Sequence, residues 1–333
     1  MGQYVIGMDI GGTNVRMALT GCDGTLHSRR HYPGRIGEGR EVFLELLAAE
    51  VCRMRDLAGA QGKEVTAIGI GVPGLVGNDG TIHSSVNMTP LEGVNLAAYV
   101  SGIAGVPTYC LNDANAAALG EHRFGAGRSF TSSVTVTIGT GLGSGLILGG
   151  HLWTGSGGFA AELGHITVQT GGAACPCGNY GCLEQYVSAG ALVRYYHESV
   201  GEGAAVTAED VARRARLGDR AALAACDRLG EWLGVGIASL LSILNLQGVF
   251  VGGGVGESFD LFHSSLSRSI RQRCFPLIYR GTVIAKAELG DNAGLLGAAA
   301  YAGSSCRTNA ENRGGAPLSE GLYAPVDTDG HLY

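Results

Sequence analysis

The sequence predicts an α/β protein built from two related domains. The chain has 333 residues, enough for two domains of ordinary size. Apolar segments typical of strands alternate with segments of helical spacing along most of its length. The strand pair around the glycine turn at residues 11–14 has a weak counterpart around the turn at residues 139–143. Because the repeat has the size of a domain, it differs from the short repeats of solenoid proteins.

The first half of the chain predicts a strand meander, a helix and two further strands. YVIGMDI, VRMALT and the segment after GCDG are predicted to be antiparallel strands joined by tight turns. EVFLELLAAEVCRMRDLAGAQG has helical spacing, with apolar residues at Val42, Leu46 and Ala49. VTAIGIGVPG and VPTYCLN predict two more strands, and DANAAALGEHRFG opens a helix.

The second half begins with the same order of elements. SSVTVTIGTGLGSGLILGGHLWTG predicts three strands, and a helical region follows from about residue 191 to residue 246. GVFVGGGVGES predicts a strand that ends in a glycine turn, TVIAKAEL predicts a strand, and NAGLLGAAAYA predicts a final helix. From Ser304 onward the tail is polar and shows no pattern.

Composition narrows the class of protein. Apolar residues make up 45% of the chain, charged residues 16%, and the formal net charge is −6. Without a run of Lys or Arg, we expect no nucleic-acid partner. No apolar run reaches about 18 residues and no cationic leader is present, so we expect no membrane association and a cytoplasmic protein.

Glycine clusters follow three of the predicted strands, in DIGGTN, GTGLGSG and GGGVG. Consecutive backbone N–H groups in such turns can form a concave site for phosphate oxygens, which approach closely where no Cβ is present. The hydroxyl of Thr13 would add a donor, and Asp9 could hold Mg²⁺ through water. Any one of these loops alone could be an ordinary hairpin turn. Three such loops in a chain that nearly repeats itself favour two related domains that bind one polyphosphate between them.

A cysteine cluster stands out among the nine cysteines of the chain. Cys175, Cys177 and Cys182 lie within eight residues, and His165 precedes them. Disulfides, a zinc site, and a glycine-rich turn with incidental cysteines are the three candidates. The odd count and the absence of a secretion signal disfavour disulfides.

The order and spacing of several motifs resemble those of the ROK family of sugar kinases and regulators. The motifs are DIGGTN, GVPG, LNDANAAALGE, IGTGLGSG, AELGH, CPCGNYGCLE, VGGGV and NAGLLGAA, and the resemblance runs from about Gly7 to about Ala302. It implies an actin/hexokinase-like fold, with two α/β domains of the ribonuclease-H type and an interdomain cleft. The expected small domain spans residues 1–115 plus about 292–303. The large domain spans 116–291, and a polar tail spans 304–333.

The resemblance also implies a zinc module and a sugar pocket. Its zinc ligands match His165, Cys175, Cys177 and Cys182, a closed tetrahedral set typical of structural zinc. Glu162, His165 and Glu184 match the residues that hydrogen-bond the sugar. His165 would then use one ring nitrogen for zinc and the other for sugar.

Asn112 and Asp113 stand where a strand ends and a helix begins. Asp is a common helix N-cap, so capping is one reading of Asp113. Beside the glycine loops and the pocket carboxylates, it is also the best candidate for the general base that takes the proton of a sugar hydroxyl. Asn87 and Asn112 would orient other hydroxyls. The predicted residues for ATP and Mg²⁺ are Asp9, Gly11, Gly12, Thr13, Asn14, Gly139, Thr140, Gly141, Gly253 and Gly254.

The resemblance implies an ATP-dependent kinase for the 6-hydroxyl of an aldohexose, first of all glucose. Leu91 and Asn14 stand where members often carry Trp and Lys, which leaves kinases for N-acetylglucosamine, N-acetylmannosamine, allose, fructose or mannose as alternatives. A non-catalytic sugar-sensing regulator is the alternative from another class. Family repressors carry an N-terminal helix-turn-helix domain, and this chain reaches DIGGT by residue 9. A homodimer or higher homo-oligomer is expected.

Overall fold

The computed structural model of the chain describes residues 3–86, 88–201 and 205–312. The first half contains strands β1 (Gln3–Ile10), β2 (Asn14–Gly21), β3 (Leu26–Pro33), β4 (Glu64–Val72), β5 (Leu75–Val76), β6 (Ile82–Ser84) and β7 (Thr108–Asn112). Its helices are α1 (Arg40–Ala60), α2 (Leu96–Ala104) and α3 (Asp113–Phe124). The strand meander, the long helix and the two later strands were all predicted from the sequence.

The second half contains a matching set of strands and most of the helices. The strands are β8 (Ser133–Ile138), β9 (Leu142–Leu148), β10 (His151–Trp153), β11 (Gly248–Gly252) and β12 (Val283–Lys286). The helices are α4 (Ala189–Val200), α5 (Ala208–Arg216), α6 (Arg220–Leu244), α7 (Gly253–Gly256), α8 (Phe259–Arg273), α9 (Pro276–Arg280) and α10 (Ala293–Asn312).

The two main sheets have the same topology. Their strand orders are β3-β2-β1-β4-β7 and β10-β9-β8-β11-β12. In each sheet the first three strands in sequence form an antiparallel meander, and the two later strands run parallel to the first. The weak internal repeat of the sequence therefore corresponds to a repeated sheet.

Each sheet has its own hydrophobic core. Ile6, Met8 and Ile10 of β1 are completely buried, and Phe43 and Leu47 of α1 lie in the same cluster. In the second half, alternate residues of β8 and β11 pack with α6 and α8. Both central strands are apolar because helices cover both faces of each sheet.

Helices α3 and α10 lie between the two sheets and pack against each other. α10 rests on β1 and β4 of the first sheet, whereas α3 rests on β9 of the second. The helix backbones approach closely, because a Cβ at Gly120 would clash with Ala293 O and a Cβ at Gly297 would clash with Ala116 O. Small residues at this crossing thus bring the two halves together along one edge of the cleft.

Three features differ from the sequence predictions or qualify them. α10 continues to Asn312, so residues 304–312 are helical, whereas the sequence predicted a patternless tail from 304; residues 313–333 lie outside the described part. The GGGVG cluster opens the short helix α7, where the sequence predicted a turn. The predicted domain limit at residues 115 and 116 falls inside α3, and the domain limits stay a prediction.

None of the helices in the described ranges combines the length and apolar composition that a membrane span needs.

Candidate active site

A pocket opens in the cleft between the two sheets. β1 contributes Asp9, the first residue of α3 contributes Asp113, and the start of α7 contributes Gly253. The 3-10 turn before α10 contributes Asp291. The pocket therefore collects residues from both halves of the chain, at the ends of strands and the beginnings of helices.

Asp9 lies in a cluster of carboxylates that has one cationic partner on its neighbouring strand. Asp9 and Arg16 are directly opposite each other in the β1–β2 pair, and Arg16 Nη1 lies 3.6 Å from Asp9 Oδ2. Arg16 Nη2 also lies 3.4 Å from Asp291 Oδ2. Burial, followed by the charge of Asp113, raises the pKa of Asp9 to about 6 although Arg16 lowers it. A cluster with more carboxylates than cations, in which Asp9 is partly buried, is suited to bind Mg²⁺ directly or through water.

Asn112 is the N-cap of α3, so the alternative reading of Asp113 as the cap is wrong. Asn112 Oδ1 accepts hydrogen bonds from the backbone N–H groups of Ala114 at 2.9 Å and Asn115 at 3.0 Å. Its Nδ2 donates to Gly74 O at 3.1 Å. Both ends of the Asn112 amide thus have protein partners, which compete with its predicted contact to sugar.

Asp113 is the first residue of α3, and its carboxylate lines the cleft. Oδ1 accepts from the N–H of Ala114 at 2.9 Å. Burial raises the pKa of Asp113, while the backbone hydrogen bonds lower it. A carboxylate that is less stable in its charged form is a stronger proton acceptor, as a general base requires.

Glu162, His165 and Glu184 form a second polar group that interacts electrostatically with Asp113. Burial raises the pKa of Glu162, His165 lowers it, and Asp113 and Glu184 raise it further. The predicted sugar residues therefore lie within electrostatic range of the predicted base, Asp113. Asn87, the remaining predicted sugar residue, lies outside the described residues.

Glu184 has a partner that the sequence did not predict. Its Oε2 accepts the backbone N–H of Leu142 at 2.9 Å, and a Cβ at Gly141 would clash with the same oxygen. The N–H of Ala189 also donates to Gly139 O at 2.8 Å. The segment that follows the cysteine cluster therefore holds the glycine loop between β8 and β9.

Two of the three predicted glycine loops are hairpin turns. Gly11 N–H donates to Asn14 O at 2.8 Å in the β1–β2 turn, where Gly12, Thr13 and Asn14 are exposed. Gly139 N–H donates to Gly141 O at 2.9 Å in the β8–β9 turn, which also contains Thr140. Gly253 and Gly254 begin α7, and Gly253 lines the cleft.

The cysteine cluster and His165 have the geometry of a tetrahedral metal site. The three Sγ atoms and a ring nitrogen of His165 all lie within 4.8 Å of one another. Cys177 Sγ is 3.7 Å from Cys182 Sγ, and Cys175 Sγ is 3.8 Å from His165 Nδ1. Zinc at about 2.3 Å from sulfur and about 2.0 Å from nitrogen would separate tetrahedral ligands by roughly 3.5–3.8 Å. Two of the six ligand pairs are therefore at tetrahedral separations, and the donor set of the four side chains suits zinc.

Backbone pairing and one side chain support this cluster. Isolated bridges pair Thr167 with Cys182 and Ala174 with Tyr180. Gln185 Nε2 lies 3.4 Å from Cys175 Sγ and can donate to a thiolate. With Nδ1 of His165 facing the cysteines, Nε2 is left to carry the proton and to act as a donor.

Ala161, directly before Glu162, adopts a left-handed backbone conformation with φ of 72°. Such a conformation costs roughly 1–3 kcal/mol for a residue with a Cβ, and glycine avoids that cost. We expect Ala161→Gly to raise the free energy of unfolding by about 1 kcal/mol, after subtraction of the entropy that glycine adds to the unfolded chain. Denaturant titration of both proteins measures this difference. Ala160→Gly is the matched control and should destabilise, since Ala160 is not left-handed; lower stability of Ala161→Gly would contradict the strain.

The cleft contains four charged residues that were not among the sequence predictions: Arg16, Glu121, Glu257 and Asp291. Arg16 could have been found from the hairpin, because a strand pair that turns at residues 11–14 places it opposite Asp9. Asp291 and Glu257 line the same pocket, and Glu257 Oε2 is 2.8 Å from Lys286 Nζ. No local pattern in the sequence marks these two, because only the fold brings them to the cleft.

Comparison with known proteins identifies the family. The profile of the ROK family matches residues 5–304. A glucokinase of Thermotoga maritima is 32% identical over 308 residues, which cover 89% of this chain and 96% of that protein. The crystal structure of a ROK family glucokinase from Streptomyces griseus in complex with glucose and AMPPNP is 34% identical, with a TM-score of 0.78, and the match covers 90% of this chain and 99% of that one. A xylose repressor of Caldicellulosiruptor bescii is 31% identical over 305 residues, which cover 88% of this chain and 76% of the repressor.

These matches extend over both sheets and the cleft. They confirm the predicted α/β actin/hexokinase-like fold, with two domains of the ribonuclease-H type and an interdomain cleft. The match also includes the cysteine cluster and the glycine loops, which carried the resemblance in the sequence. The chain therefore belongs to the ROK family.

Proposed function

We propose that the chain is an ATP-dependent hexose kinase that phosphorylates the 6-hydroxyl of an aldohexose, with glucose as the first candidate. The observation that carries the proposal is that Asp113 lines the cleft pocket and interacts with carboxylates of both predicted sites. Its charge raises the pKa of Asp9, which lines the same pocket, and the pKa of Glu162, which also interacts with His165 and Glu184. A base that serves both a phosphate site and a sugar site needs to be close to both.

In the proposed reaction Asp113 accepts the proton of the sugar 6-hydroxyl as that oxygen attacks the γ-phosphorus of ATP. The bond from the γ-phosphorus to the bridging oxygen breaks, and ADP leaves with the electron pair. Such a transfer depends mainly on alignment and on neutralisation of charge. Asp9 would hold Mg²⁺ through water. The N–H groups of the glycine loops would bind phosphate oxygens, apart from those of Gly11 and Gly139, which donate within their own turns. These loops contain Gly11, Gly12, Thr13, Asn14, Gly139, Thr140, Gly141, Gly253 and Gly254.

On the sugar side, Glu162, His165 and Glu184 would bind hydroxyl groups, with Asn87 and Asn112 as further contacts. Zinc bound by His165 and the three cysteines would be structural, since four protein ligands leave no open coordination position. Nε2 of His165 would donate to a sugar hydroxyl, and its orientation would be fixed through Nδ1. Glu184 Oε2 keeps its bond to Leu142, so the second carboxylate oxygen is the one assigned to sugar.

Glucose is favoured over the other hexoses by the relatives, and the position of Leu91 is compatible with it. The Streptomyces griseus relative is a glucokinase solved with glucose. Leu91 ends a 3-10 turn, is completely buried, and packs in the core of the first half. Its side chain is therefore part of the core, and the change from Trp is compatible with a glucose site.

The test is a turnover assay with ATP and Mg²⁺ on protein of measured zinc content. ADP release is followed with glucose, N-acetylglucosamine, N-acetylmannosamine, mannose, fructose and allose. Preference for glucose supports the full proposal. Preference for another sugar supports the hexose kinase but changes its assigned substrate. No turnover with any sugar would overturn the kinase and favour the sugar-sensing regulator, which the similarity to a xylose repressor keeps as the second candidate.

A further inference from the structure

Glu121 is a buried carboxylate near the end of α3 that the proposed chemistry does not use. Its side chain is completely buried and accepts three backbone N–H groups. Oε2 accepts from Ala126 at 2.9 Å and from Glu288 at 3.1 Å, and Oε1 accepts from Leu289 at 2.8 Å. A buried carboxylate requires such compensation for lost hydration. The arrangement therefore fixes the three amides relative to one another.

The three amides lie on the two connections that join the packed pair of helices α3 and α10 to the strands of the second sheet. Ala126 lies in residues 125–132, where the chain passes from α3 to β8. Glu288 and Leu289 lie in residues 287–292, where the chain returns from β12 to α10. One side chain thus binds the outgoing and the returning connection at the same time.

The returning connection also forms part of the cleft. Gly290 and Asp291 line the pocket, and Asp291 is the partner of Arg16, which in turn contacts Asp9. A displacement of this connection would therefore move charged groups on the proposed phosphate side.

Close packing leaves these connections little freedom to shift separately. A Cβ at Gly125 would clash with Glu121 Oε2, so the outgoing backbone lies directly against the carboxylate. The crossing of α3 and α10 next to it is equally tight, with Gly120 against Ala293 O. A rotation of the second sheet relative to the pair of helices α3 and α10 must then move both connections together.

We propose that Glu121 is a positioning residue that couples the two connections, so that they act as one hinge when the cleft closes on sugar and nucleotide. This inference rests on the proposed function, since a hexose kinase excludes water from ATP by closing over both substrates. Closure makes the binding of one substrate favour the other, so the hinge is measurable as a coupling between two ligands.

The test compares Glu121→Gln with the wild type and with Glu288→Gln. The Gln side chain keeps the size of Glu121 but directs an NH₂ group at an N–H donor. Glu288→Gln is the matched control, because it changes an exposed carboxylate whose 3.6 Å contact with exposed Arg128 also spans the two connections. Solvent screens such an exposed pair, so its loss should have little effect. Hydrogen exchange is measured at residues 125–128 and 287–291. Calorimetry measures binding of AMPPNP and Mg²⁺ with and without glucose.

In Glu121→Gln we expect faster exchange at both connections and a coupling between glucose and nucleotide reduced at least about fivefold. The KM for ATP should rise by a similar factor, whereas Glu288→Gln should stay within about twofold of the wild type. A lower melting temperature with unchanged coupling would indicate a purely structural role and overturn the proposal. Faster exchange at one connection only would also overturn it.

A second variant and a substrate-free measurement complete the design. If Glu121→Gln does not fold, Glu121→Asp, which keeps the charge on a shorter side chain, is measured in the same way. Failure of both to fold would reduce Glu121 to a stability role and overturn the proposal. Hydrogen exchange needs no substrate. It therefore tests whether Glu121 couples the two connections even if no sugar is phosphorylated and the proposed function fails.

Discussion

Asp113→Asn is expected to lower kcat by roughly 10²- to 10⁴-fold, the usual contribution of a general base. The variant keeps the shape of the side chain but cannot take up the sugar proton. Because Asn112 rather than Asp113 caps α3, the helix should begin at the same residue and the fold should persist. Sugar affinity should stay within a few fold, since the other polar groups of the pocket are unchanged. Steady-state kinetics and calorimetric titration with the sugar measure the two quantities.

The control for this variant is Asp56→Asn, an exposed Asp on α1 that should leave kcat unchanged. The pH dependence gives an independent check. Burial raises the pKa of Asp113, so kcat should fall on acidification at a pH above that at which an exposed Asp titrates. Below that pH the carboxyl is protonated and cannot accept the sugar proton. Unchanged turnover of Asp113→Asn would remove Asp113 from the reaction.

Local sequence patterns predicted the hairpins, the central strands and most of the helices. The reason is that each of these elements depends on residues close in sequence. Glycine turns that alternate with apolar segments, for example, mark the strands and hairpins. The cysteine cluster could be recognised for a related reason, because Cys175, Cys177 and Cys182 share one short loop. That they bind zinc with His165 was implied by the family resemblance and stays a proposal. The end of α10 was not predicted, because its last residues are polar and carry no apolar face beyond residue 303.

The missed features depend on contacts between residues far apart in sequence. Asp291 meets Arg16 only because α10 returns to the first sheet, and Glu121 meets the amide of Leu289 across more than half the chain. The choice between Asn112 and Asp113 as the helix cap depended on backbone geometry, with Asn112 extended at φ of −60° and ψ of 145°. Such facts follow from the fold and are invisible in residue spacing.

Loss of the proposed zinc is expected to have the second large effect, because it would alter the sugar pocket rather than the reaction itself. Cys175→Ser removes one of four ligands, and we expect the bound zinc to fall from one equivalent to a small fraction. His165 would then lose the partner of Nδ1, and the loop that carries Glu184 would lose its constraint. The KM for the sugar should rise at least about tenfold, as for loss of groups that orient a metal ligand. Zinc content by mass spectrometry and steady-state kinetics measure the effects.

The matched control is Cys52→Ser, which changes an exposed cysteine of α1 and should keep both zinc and activity.

The structure makes a further distinction possible, since Glu184 holds the glycine loop between β8 and β9 through the amide of Leu142. If the cysteine cluster supports both sides of the cleft, Cys175→Ser should also weaken binding of AMPPNP and Mg²⁺ measured in the absence of sugar. If it supports the sugar side alone, nucleotide binding should equal that of Cys52→Ser. A zinc-free variant with unchanged KM for sugar and for ATP would show that the cluster does not shape the site. That outcome would show that the proposed function does not depend on the metal. The backbone bridges of the cysteine loop would then be enough to hold Glu184 in place.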